Sequence, residues 1–354
     1  MSALRVLVQQ PVVPEYRRAF FTALDQLCRL TVVAGNHSVD AGLQQSIAPG
    51  PGWLDLRAPT VFPGGIHHLS LRAIDIPRYD VIIVNFNPRH TASIRLYRAA
   101  RRHGCTLLWW NHLWSYTSTR RNLAIRRVLM NRCDGVVLYT DREARIGRAI
   151  GITPPVRGLN NCCHTDDALI LRRAAIPERE REAHFLMLGR LTPKSRFDWV
   201  LQLAPAFEGR ARFTMVGASP SQLQRFGNRP GDNIRLIATT YEEKKKVELL
   251  SAADYLVYPG PIGLGALEAL SMGLPVITQG DRHSSPEHAY LRNDFNAAFT
   301  DGTREGLHRV IDEIVSGKRR FASRKEISAA VAHLNVESMA QRLHQFMLEL
   351  NGRL

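Results

Sequence analysis

The sequence predicts an α/β protein with two domains, each built on a doubly wound parallel sheet. Short apolar segments of strand length alternate with helical segments along most of the 354 residues. Strands separated by one helix each imply parallel pairing and right-handed crossovers. The chain is long for a single small domain, and 45% of its residues are apolar, enough to form two cores.

The first series of strands and helices extends from the N-terminus to about residue 140. RVLVQ (5–9) is predicted to be a buried strand and not part of a signal peptide, because Arg5 and Gln9 bracket an apolar run that is too short. A helix around EYRRAFFTALDQL follows it. The remaining elements are the strands LTVVAG, DVIIVNF, TLLWW and DGVVLYT and the helices ASIRLYRAARRHG and RRNLAIRRVLMNRC.

A polar stretch from Thr153 to Glu182, rich in Pro, Asn, His and charge, interrupts this alternation and is predicted to be a linker. Five further strands follow it: HFLMLG, RFTMVG, NIRLIA, DYLVYPG and LPVIT. We therefore expect an N-terminal domain over residues 1–160 and a C-terminal domain over residues 161–354. The last segment, about 338–354, has the spacing of an amphipathic helix.

The net charge of +15 is unevenly distributed, since residues 89–148 contain thirteen arginines and three acidic residues. Such a region suits an anionic membrane surface, phosphate groups or nucleic acid, and a generally basic surface is the alternative. A nucleic-acid-binding protein is the weakest of these hypotheses, because the sequence has no recognisable nucleic-acid module.

No segment approaches the roughly 20 apolar residues of a membrane-spanning helix. The five cysteines form no CxxC pair and no metal-like spacing, and no export signal is evident. These features favour reduced thiols in a cytoplasmic protein, with peripheral attachment to the inner membrane face if the basic region binds lipid.

The loop after the strand HFLMLG contains two cations, Arg190 and Lys194, just before a helix. Two cations at this spacing suit an anion such as a diphosphate, because fixed donors, positive charge and the helix dipole converge there. Exposed loop cations with no ligand would show the same pattern. The sequence leaves both interpretations open.

A second candidate anion site lies where the strand DYLVYP turns into a helix. Gly263, Leu264 and Gly265 stand at this turn, where small residues let a diphosphate approach backbone N–H groups. Glu268, one turn further, is placed to accept hydrogen bonds from ribose hydroxyls. The alternative for Glu268 is a simple interaction with the helix dipole.

Candidate residues of the N-terminal domain follow the ends of its first and fourth strands. His112, after TLLWW, is the best candidate for a side chain near a reacting group, although a histidine among tryptophans is more often a packed core residue. Asn111 precedes it. Arg17 and Arg18 are predicted to lie at the mouth of a cleft or on the solvent face of the first helix. The acceptor-binding candidates are Arg17, Asn111 and His112.

The C-terminal half resembles the nucleotide-sugar domain of glycosyltransferase family 4, which comprises retaining enzymes of the GT-B fold. The matching stretches are GRLTPK, MVG (215–217), SAADYLVYP and GPIGLGALEALSMGLPVI. The resemblance implies that Arg190 and Lys194 bind the donor diphosphate, that Gly217 belongs to the donor site, and that Glu268 holds the ribose. The first glutamate of the family's E-x(7)-E motif, expected near the donor sugar, is replaced here by Gly260.

The N-terminal half is similar in outline to the acceptor domain of these enzymes, with WWNHLW (109–114) and NNCCHTD (160–166) at corresponding places. The resemblance implies two Rossmann-like domains facing a central cleft, and a last helix that crosses back to the first domain. It also implies a retaining, hexosyltransferase-like enzyme that transfers sugar from a nucleotide-diphosphate sugar to a glycan or lipid-linked hydroxyl, in cell-surface polysaccharide or glycolipid synthesis.

No metal or other cofactor is expected, because no DxD pair stands in a suitable loop and the charge on the leaving diphosphate could be stabilised by Arg190 and Lys194. The pair Asp166 and Asp167 is predicted to start a helix. A rival hypothesis keeps the fold without the chemistry, as a sugar-nucleotide-binding protein that no longer transfers, and the replacement at Gly260 favours it.

Overall fold

The computed structural model describes residues 3–37, 46–87, 89–114, 119–176, 183–227, 231–240, 242–280 and 285–352. The chain forms two compact units. The first unit comprises Met1–Thr165 and Leu334–Leu354, and the second comprises Asp166–His333. The first unit therefore continues beyond residue 160 and includes the C-terminal helix. None of the described helices is long and apolar enough to cross a membrane.

The first unit is built on a seven-stranded parallel sheet in the order β3-β2-β1-β6-β7-β8-β9. A short antiparallel pair, β4 and β5, lies outside it. The central strands are buried on both faces, which explains their unbroken runs of apolar residues. The strands are β1 (Arg5–Gln9), β2 (Arg29–Gly35), β3 (Leu54–Arg57), β4 (Thr60–Phe62), β5 (Ile66–His68), β6 (Val81–Val84), β7 (Thr106–Trp110), β8 (Gly135–Leu138) and β9 (Val156–Gly158).

Three of the first unit's described helices have a recognisable capping residue at one end. The side chains of Thr119 and Thr140 cap two of them, and Gly104 ends another with a left-handed φ of 67°. The helices are α1 (Arg18–Asp25), α2 (Thr91–His103), α3 (Arg120–Met130) and α4 (Asp141–Ala149).

The C-terminal helix, Val336–Leu350, completes this unit by packing on α1. Its residue Arg342 donates to the carbonyl of Gly158 at 2.9 Å and pairs with Asp141 at 2.6 Å. A further ion pair joins Arg157 to Glu349. These contacts tie the helix to the end of β9 and the start of α4.

The second unit contains a six-stranded parallel sheet in the order β12-β11-β10-β13-β14-β15. In both units the order reverses beside the first strand, as it does in doubly wound sheets. The strands are β10 (Ala183–Leu188), β11 (Ala211–Ala218), β12 (Ile234–Ala238), β13 (Tyr255–Tyr258), β14 (Val276–Gln279) and β15 (Ala297–Thr300). The helices are α5 (Asp166–Ala174), α6 (Phe197–Leu203), α7 (Pro220–Phe226), α8 (Glu243–Ala252), α9 (Gly265–Ser271), α10 (Arg304–Val315) and α11 (Arg324–Ala330), and the C-terminal helix of the first unit is α12.

The stretch from Thr153 to Glu182 is not simply a linker, and this part of the prediction is wrong. Its start contains the edge strand β9, and its middle forms α5, which begins at Asp166 as predicted. The strand has only three residues and follows two prolines, so no alternating pattern revealed it. Residues 177–182 lie outside the described part of the chain.

Candidate active site

A pocket of about 830 Å³ opens in the first unit at the carboxyl ends of four neighbouring strands. Gln10 follows β1, Asn85 follows β6, Asn111 follows β7 and Tyr139 follows β8, and all four line it. The carboxyl ends of parallel strands meet at one edge of the sheet, and ligands of such folds bind there. The predicted acceptor residues Arg17, Asn111 and His112 also line this pocket.

His112 stacks on Tyr139 with the ring centroids 4.1 Å apart. Its backbone N–H donates to Asn111 Oδ1 at 2.8 Å, and its carbonyl accepts from Arg126 Nη1 at 3.3 Å. Burial, together with the positive charges of Arg17 and Arg126, lowers the pKa of His112 to about 4. The imidazole is therefore neutral near pH 7 and offers one donor and one acceptor.

Asn111 and Glu143 hold the loop that carries His112. The Asn111 amide donates to the carbonyl of Phe86 at 3.0 Å, so this side chain ties the end of β7 to the neighbouring strand. The carboxylate of Glu143 is buried and accepts from the backbone N–H groups of Leu113 at 3.1 Å and Tyr139 at 2.9 Å. The position of His112 is fixed from both adjacent loops.

Arg17 is 6% exposed and lies among aromatic rings, whereas Arg18 is on the surface and pairs with Glu15 at 2.7 Å. The Arg17 guanidinium carbon is 5.4 Å from the ring centroids of both Tyr16 and Trp110. Such distances are typical of cation–π contacts. Arg18 thus lies on the solvent side of the chain, whereas Arg17 is buried against aromatic rings and lines the pocket.

In the second unit, Arg190 and Lys194 lie in the loop after β10, and both side chains are exposed. The loop closes in a single 3₁₀ turn. Within it, Thr192 N–H donates to Ser195 Oγ at 3.0 Å, and Ser195 N–H donates to the Thr192 carbonyl at 2.9 Å. The turn holds both cations at the carboxyl edge of the second sheet.

Gly217, the predicted donor-site glycine, is the penultimate residue of β11 and lies against the end of the neighbouring strand β10. Its φ is +121°, and a Cβ placed there would lie 2.0 Å from the carbonyl oxygen of Gly189. A hydrogen bond also joins the two strand ends, since Leu191 N–H donates to the Gly217 carbonyl at 3.3 Å. Only glycine allows this approach of the two strand ends.

Gly260 stands at the position aligned with the family's first glutamate. Backbone atoms of the Arg190–Lys194 loop and of Ser195 fill the space where its side chain would lie. A Cβ added to Gly260 would lie 2.2 Å from the carbonyl oxygen of Lys194 and 2.9 Å from the Cα of Ser195. The Gly260 carbonyl accepts from Thr278 Oγ1 at 3.2 Å. A glutamate here therefore requires the Arg190–Lys194 loop to move, so the replacement is linked to the path of that loop.

Gly263, Leu264 and Gly265 form the entry to α9, a helix of seven residues. The Gly263 carbonyl accepts from Ala266 N–H at 2.9 Å, and the Leu264 carbonyl accepts from Glu268 N–H at 3.1 Å. All three are half-buried, and a Cβ on Gly263 would meet no atom within 4 Å. The turn has open space beside Gly263, and its predicted contact with a diphosphate stays a prediction.

Glu268 lies at the centre of an ion network within the second unit. Its carboxylate accepts from Arg172 Nη2 at 2.6 Å and from Lys246 Nζ at 2.9 Å. Arg172 and Lys246 also bind Glu243, at 2.6 and 2.9 Å. Glu268 is thus an acceptor oriented by two cations, and its predicted contact with ribose stays a prediction.

Ion pairing shifts the pKa values of the groups in this network. Burial alone would lower the pKa of Arg172, but the charges of Glu268 and Glu243 raise it. Burial would likewise lower the pKa of Lys246, and the same two carboxylates raise it. For Glu243, burial would raise the pKa, and the attraction of Arg172 and Lys246 lowers it. All three groups are therefore ionised near pH 7.

Sequence reasoning missed several residues that shape both regions. Arg172 belongs to the stretch taken as a linker, and Lys246 is one of three consecutive lysines with no distinguishing pattern. Arg126 was one of thirteen arginines in the basic region. Glu143 carried a weak signal, because an acid three residues after Thr140 is typical of a capped helix start.

Comparison with known proteins supports this organisation. Residues 182–308 match the family model described as "Glycosyl transferases group 1". A search of curated proteins found no match. A comparison with solved structures found many similar folds.

The Anabaena protein Alr3699/HepE, solved with UDP and glucose, is 14% identical with a TM-score of 0.64, over 97% of this chain and 99% of its own. A glycosyltransferase from Rickettsia africae is 12% identical with a TM-score of 0.67 over both full lengths. The lipopolysaccharide outer core galactosyltransferase WaaB is 13% identical with a TM-score of 0.65, over 99% of this chain and all of its own.

These likenesses confirm the GT-B fold, two Rossmann-like units each with a parallel sheet. The match over residues 182–308 supports a glycosyltransferase.

Proposed function

We propose that this chain is a family 4 glycosyltransferase that moves a hexosyl group from a nucleotide-diphosphate sugar to a hydroxyl of a glycan or lipid-linked acceptor, with retention and without a metal ion. The observation that carries the proposal is the group 1 glycosyl transferase match over residues 182–308. The second unit holds Arg190 and Lys194 at the carboxyl edge of its sheet, where doubly wound folds bind nucleotides.

The reaction needs positive charge where the diphosphate leaves. Arg190 and Lys194 would bind the diphosphate oxygens as the bond from the sugar C1 to the phosphate oxygen breaks. In a front-face reaction, the acceptor oxygen bonds to C1 on the same side, and its proton passes to the departing phosphate oxygen. Glu268, oriented by Arg172 and Lys246, would accept from the ribose hydroxyls.

The acceptor would bind in the first unit, in the pocket beside His112 and Arg17. A neutral imidazole next to two guanidinium groups suits hydroxyl and phosphate ligands. Cell-surface polysaccharide or glycolipid synthesis is the setting we propose, with the basic region of residues 89–148 facing an anionic membrane surface.

The donor site is tested by thermal unfolding with nucleoside diphosphates, starting with UDP because HepE binds it. A nucleotide at a hundredfold excess over its Kd should stabilise the protein by roughly 2.7 kcal/mol. Arg190→Ala and Lys194→Ala should abolish the shift, whereas Arg235→Ala and Lys244→Ala, which remove exposed cations elsewhere in the second unit, should retain it. If no nucleoside diphosphate changes the midpoint, the proposed donor site is wrong.

A second candidate is a sugar-nucleotide-binding protein that does not transfer. The observation that favours it is at Gly260, where the family has its sugar-binding carboxylate. Backbone atoms of Lys194 and Ser195 fill the space that a side chain would need there. Transfer or donor hydrolysis by the wild type, lost in Arg190→Ala, would exclude this candidate. The same assay with EDTA tests metal independence, and the anomeric configuration of the product tests retention.

A further inference from the structure

Arg196 has an unusual backbone conformation for its residue type. It follows directly after Ser195, beside the Arg190–Lys194 loop, and its φ of +54° lies in the left-handed region. Glycine adopts this region without steric cost, whereas a residue with a Cβ is strained there. Strain of this kind persists where the surrounding structure imposes it, and it is concentrated at functional sites. We therefore ask which contacts hold Arg196 in place.

The backbone of Arg196 joins the turn that contains Lys194 to the helix that follows. Its N–H donates to the Pro193 carbonyl at 3.1 Å, which closes the 3₁₀ turn. Its carbonyl accepts from the Trp199 N–H at 3.1 Å, in the first turn of α6. The conformation of Arg196 therefore determines how the turn is placed relative to α6.

The side chain of Arg196 connects this turn to a part of the second unit that is distant in sequence. Its Nη1 donates to the Gly302 carbonyl at 3.1 Å, in the segment between β15 and α10. Its guanidinium carbon lies 4.5 Å from the centroid of the Trp199 ring, a distance typical of a cation–π contact. The half-buried guanidinium is thus held by two groups at once.

The same turn also contacts a third strand end. The carbonyl oxygen of Lys194 and the Cα of Ser195 lie against Gly260, which follows β13. Ser195 is buried. The Arg190–Lys194 loop is therefore placed relative to the carboxyl ends of β10, β13 and β15, and Arg196 supplies the link to β15.

We propose that Arg196 is a positioning residue of the donor site, whose contacts with Gly302 and Trp199 hold the neighbouring turn in place. The turn then sets where Arg190 and Lys194 meet the donor diphosphate. Charge-assisted hydrogen bonds to phosphate depend on the placement of the donor groups, so a displaced turn weakens them. This inference rests on the proposed function, which assigns the diphosphate to Arg190 and Lys194.

The test compares nucleoside diphosphates with monophosphates in calorimetric titrations of the whole chain. The probes are the pairs UDP and UMP, GDP and GMP, and ADP and AMP. In one pair the wild type should bind the diphosphate at least about tenfold more tightly, because the second phosphate adds charge for Arg190 and Lys194. In Arg196→Gly this ratio should fall below about threefold. A general loss of structure would weaken both nucleotides equally, so an unchanged ratio would overturn the proposal.

Glycine is the sharpest substitution, because it relieves the strain at Arg196 while removing the side chain. Asp294→Gly is the matched control in the same unit. Asp294 has a φ of +59° and pairs with Arg319 at 2.6 Å, and it precedes β15, whereas Gly302 follows that strand. This variant should keep the wild-type ratio. Equal ratios in the two glycine variants would overturn the proposal.

Two further variants separate positioning from direct binding of the nucleotide. Arg196→Lys can still donate to the Gly302 carbonyl and should recover at least about half of the wild-type ratio. Trp199→Leu removes the ring that supports the guanidinium, and it should lower the ratio in the same direction as Arg196→Gly. A ratio lost in Arg196→Gly but kept in Trp199→Leu would show that Arg196 binds the diphosphate itself, against a positioning role.

The outcomes distinguish this inference from the proposed function. If a diphosphate binds the wild type more tightly than its monophosphate and Arg196→Gly keeps that ratio, the positioning role fails and the transferase proposal stands. If no nucleoside diphosphate binds the wild type, the proposed donor site fails and this inference falls with it.

Discussion

Each unit contains a cluster of cations beside its candidate site, and the two clusters have different surroundings. In the pocket of the first unit, Arg17 lies against aromatic rings and Arg126 donates to a backbone carbonyl. In the second unit, Arg172 and Lys246 are paired with Glu268 and Glu243. The cations of the second-unit network fix the Glu268 carboxylate in place, whereas Arg17 and Arg126 contribute a positive field around His112.

The paired network gives the largest predicted effect. Arg172 is fully buried and binds Glu243, Glu268 and Ser271. Arg172→Met would leave the half-buried carboxylate of Glu268 with less compensation, and we expect a loss of about 3–5 kcal/mol in the free energy of unfolding. Urea denaturation measures it. Arg173→Met, on the neighbouring residue of the same helix, should cost under about 0.5 kcal/mol. A loss below 1 kcal/mol in Arg172→Met would contradict the importance of the network.

The second prediction concerns the contact between Gly260 and the Arg190–Lys194 loop in the second unit. Gly260→Ala places a Cβ 2.2 Å from the Lys194 carbonyl and should destabilise the protein by about 1–3 kcal/mol. Gly263→Ala is a matched control, since its Cβ meets no atom within 4 Å. Thermal or urea unfolding of both variants tests this difference. Equal stabilities would show that the Arg190–Lys194 loop gives way easily and that the family's glutamate could be accommodated.

The surroundings of His112 in the first-unit pocket predict how the free energy of unfolding depends on pH. The pKa of His112 is lowered from 6.5 to about 4 by burial and by Arg17 and Arg126, so the unfolded chain binds the proton first as pH falls. Stability from this group is present above pH 6.5 and is lost as pH falls toward 4. Between pH 6.5 and 5, the wild type should lose roughly 1–2 kcal/mol more than His112→Gln.

NMR titration of the His112 ring measures the same shift directly, and a pKa near 6.5 would contradict the description of the pocket.

The fold was largely predictable because its central strands are continuous apolar runs. β1, β7 and β10 agree with the predicted segments within a residue or two. β3, β9 and β15 were missed, since strands of three or four residues are too short to show a clear periodicity. Tertiary pairing with a neighbouring strand, and not local sequence, makes them strands.

The site was less predictable than the fold. Loop positions such as Arg190 and His112 follow from strand ends, which the sequence marks. The partners of Glu268 come from α5 and α8, far away in sequence, so local patterns contain no information about them. The obstruction at Gly260 likewise depends on the path of another loop.

The smallest predicted effect concerns the exposed end of the ion network. The Glu243 side chain is 49% exposed, and water weakens its attraction to Arg172 and Lys246. Glu243→Gln should cost about 0.5–1 kcal/mol at pH 7, with Glu242→Gln as the adjacent exposed control. Because the folded-state pKa of Glu243 is lowered below 4.5, this contribution is present above pH 4.5 and is lost as pH falls through the folded value. The difference between the wild type and Glu243→Gln should therefore vanish in acid, and a difference that persists there would show that Glu243 acts through packing and not through charge.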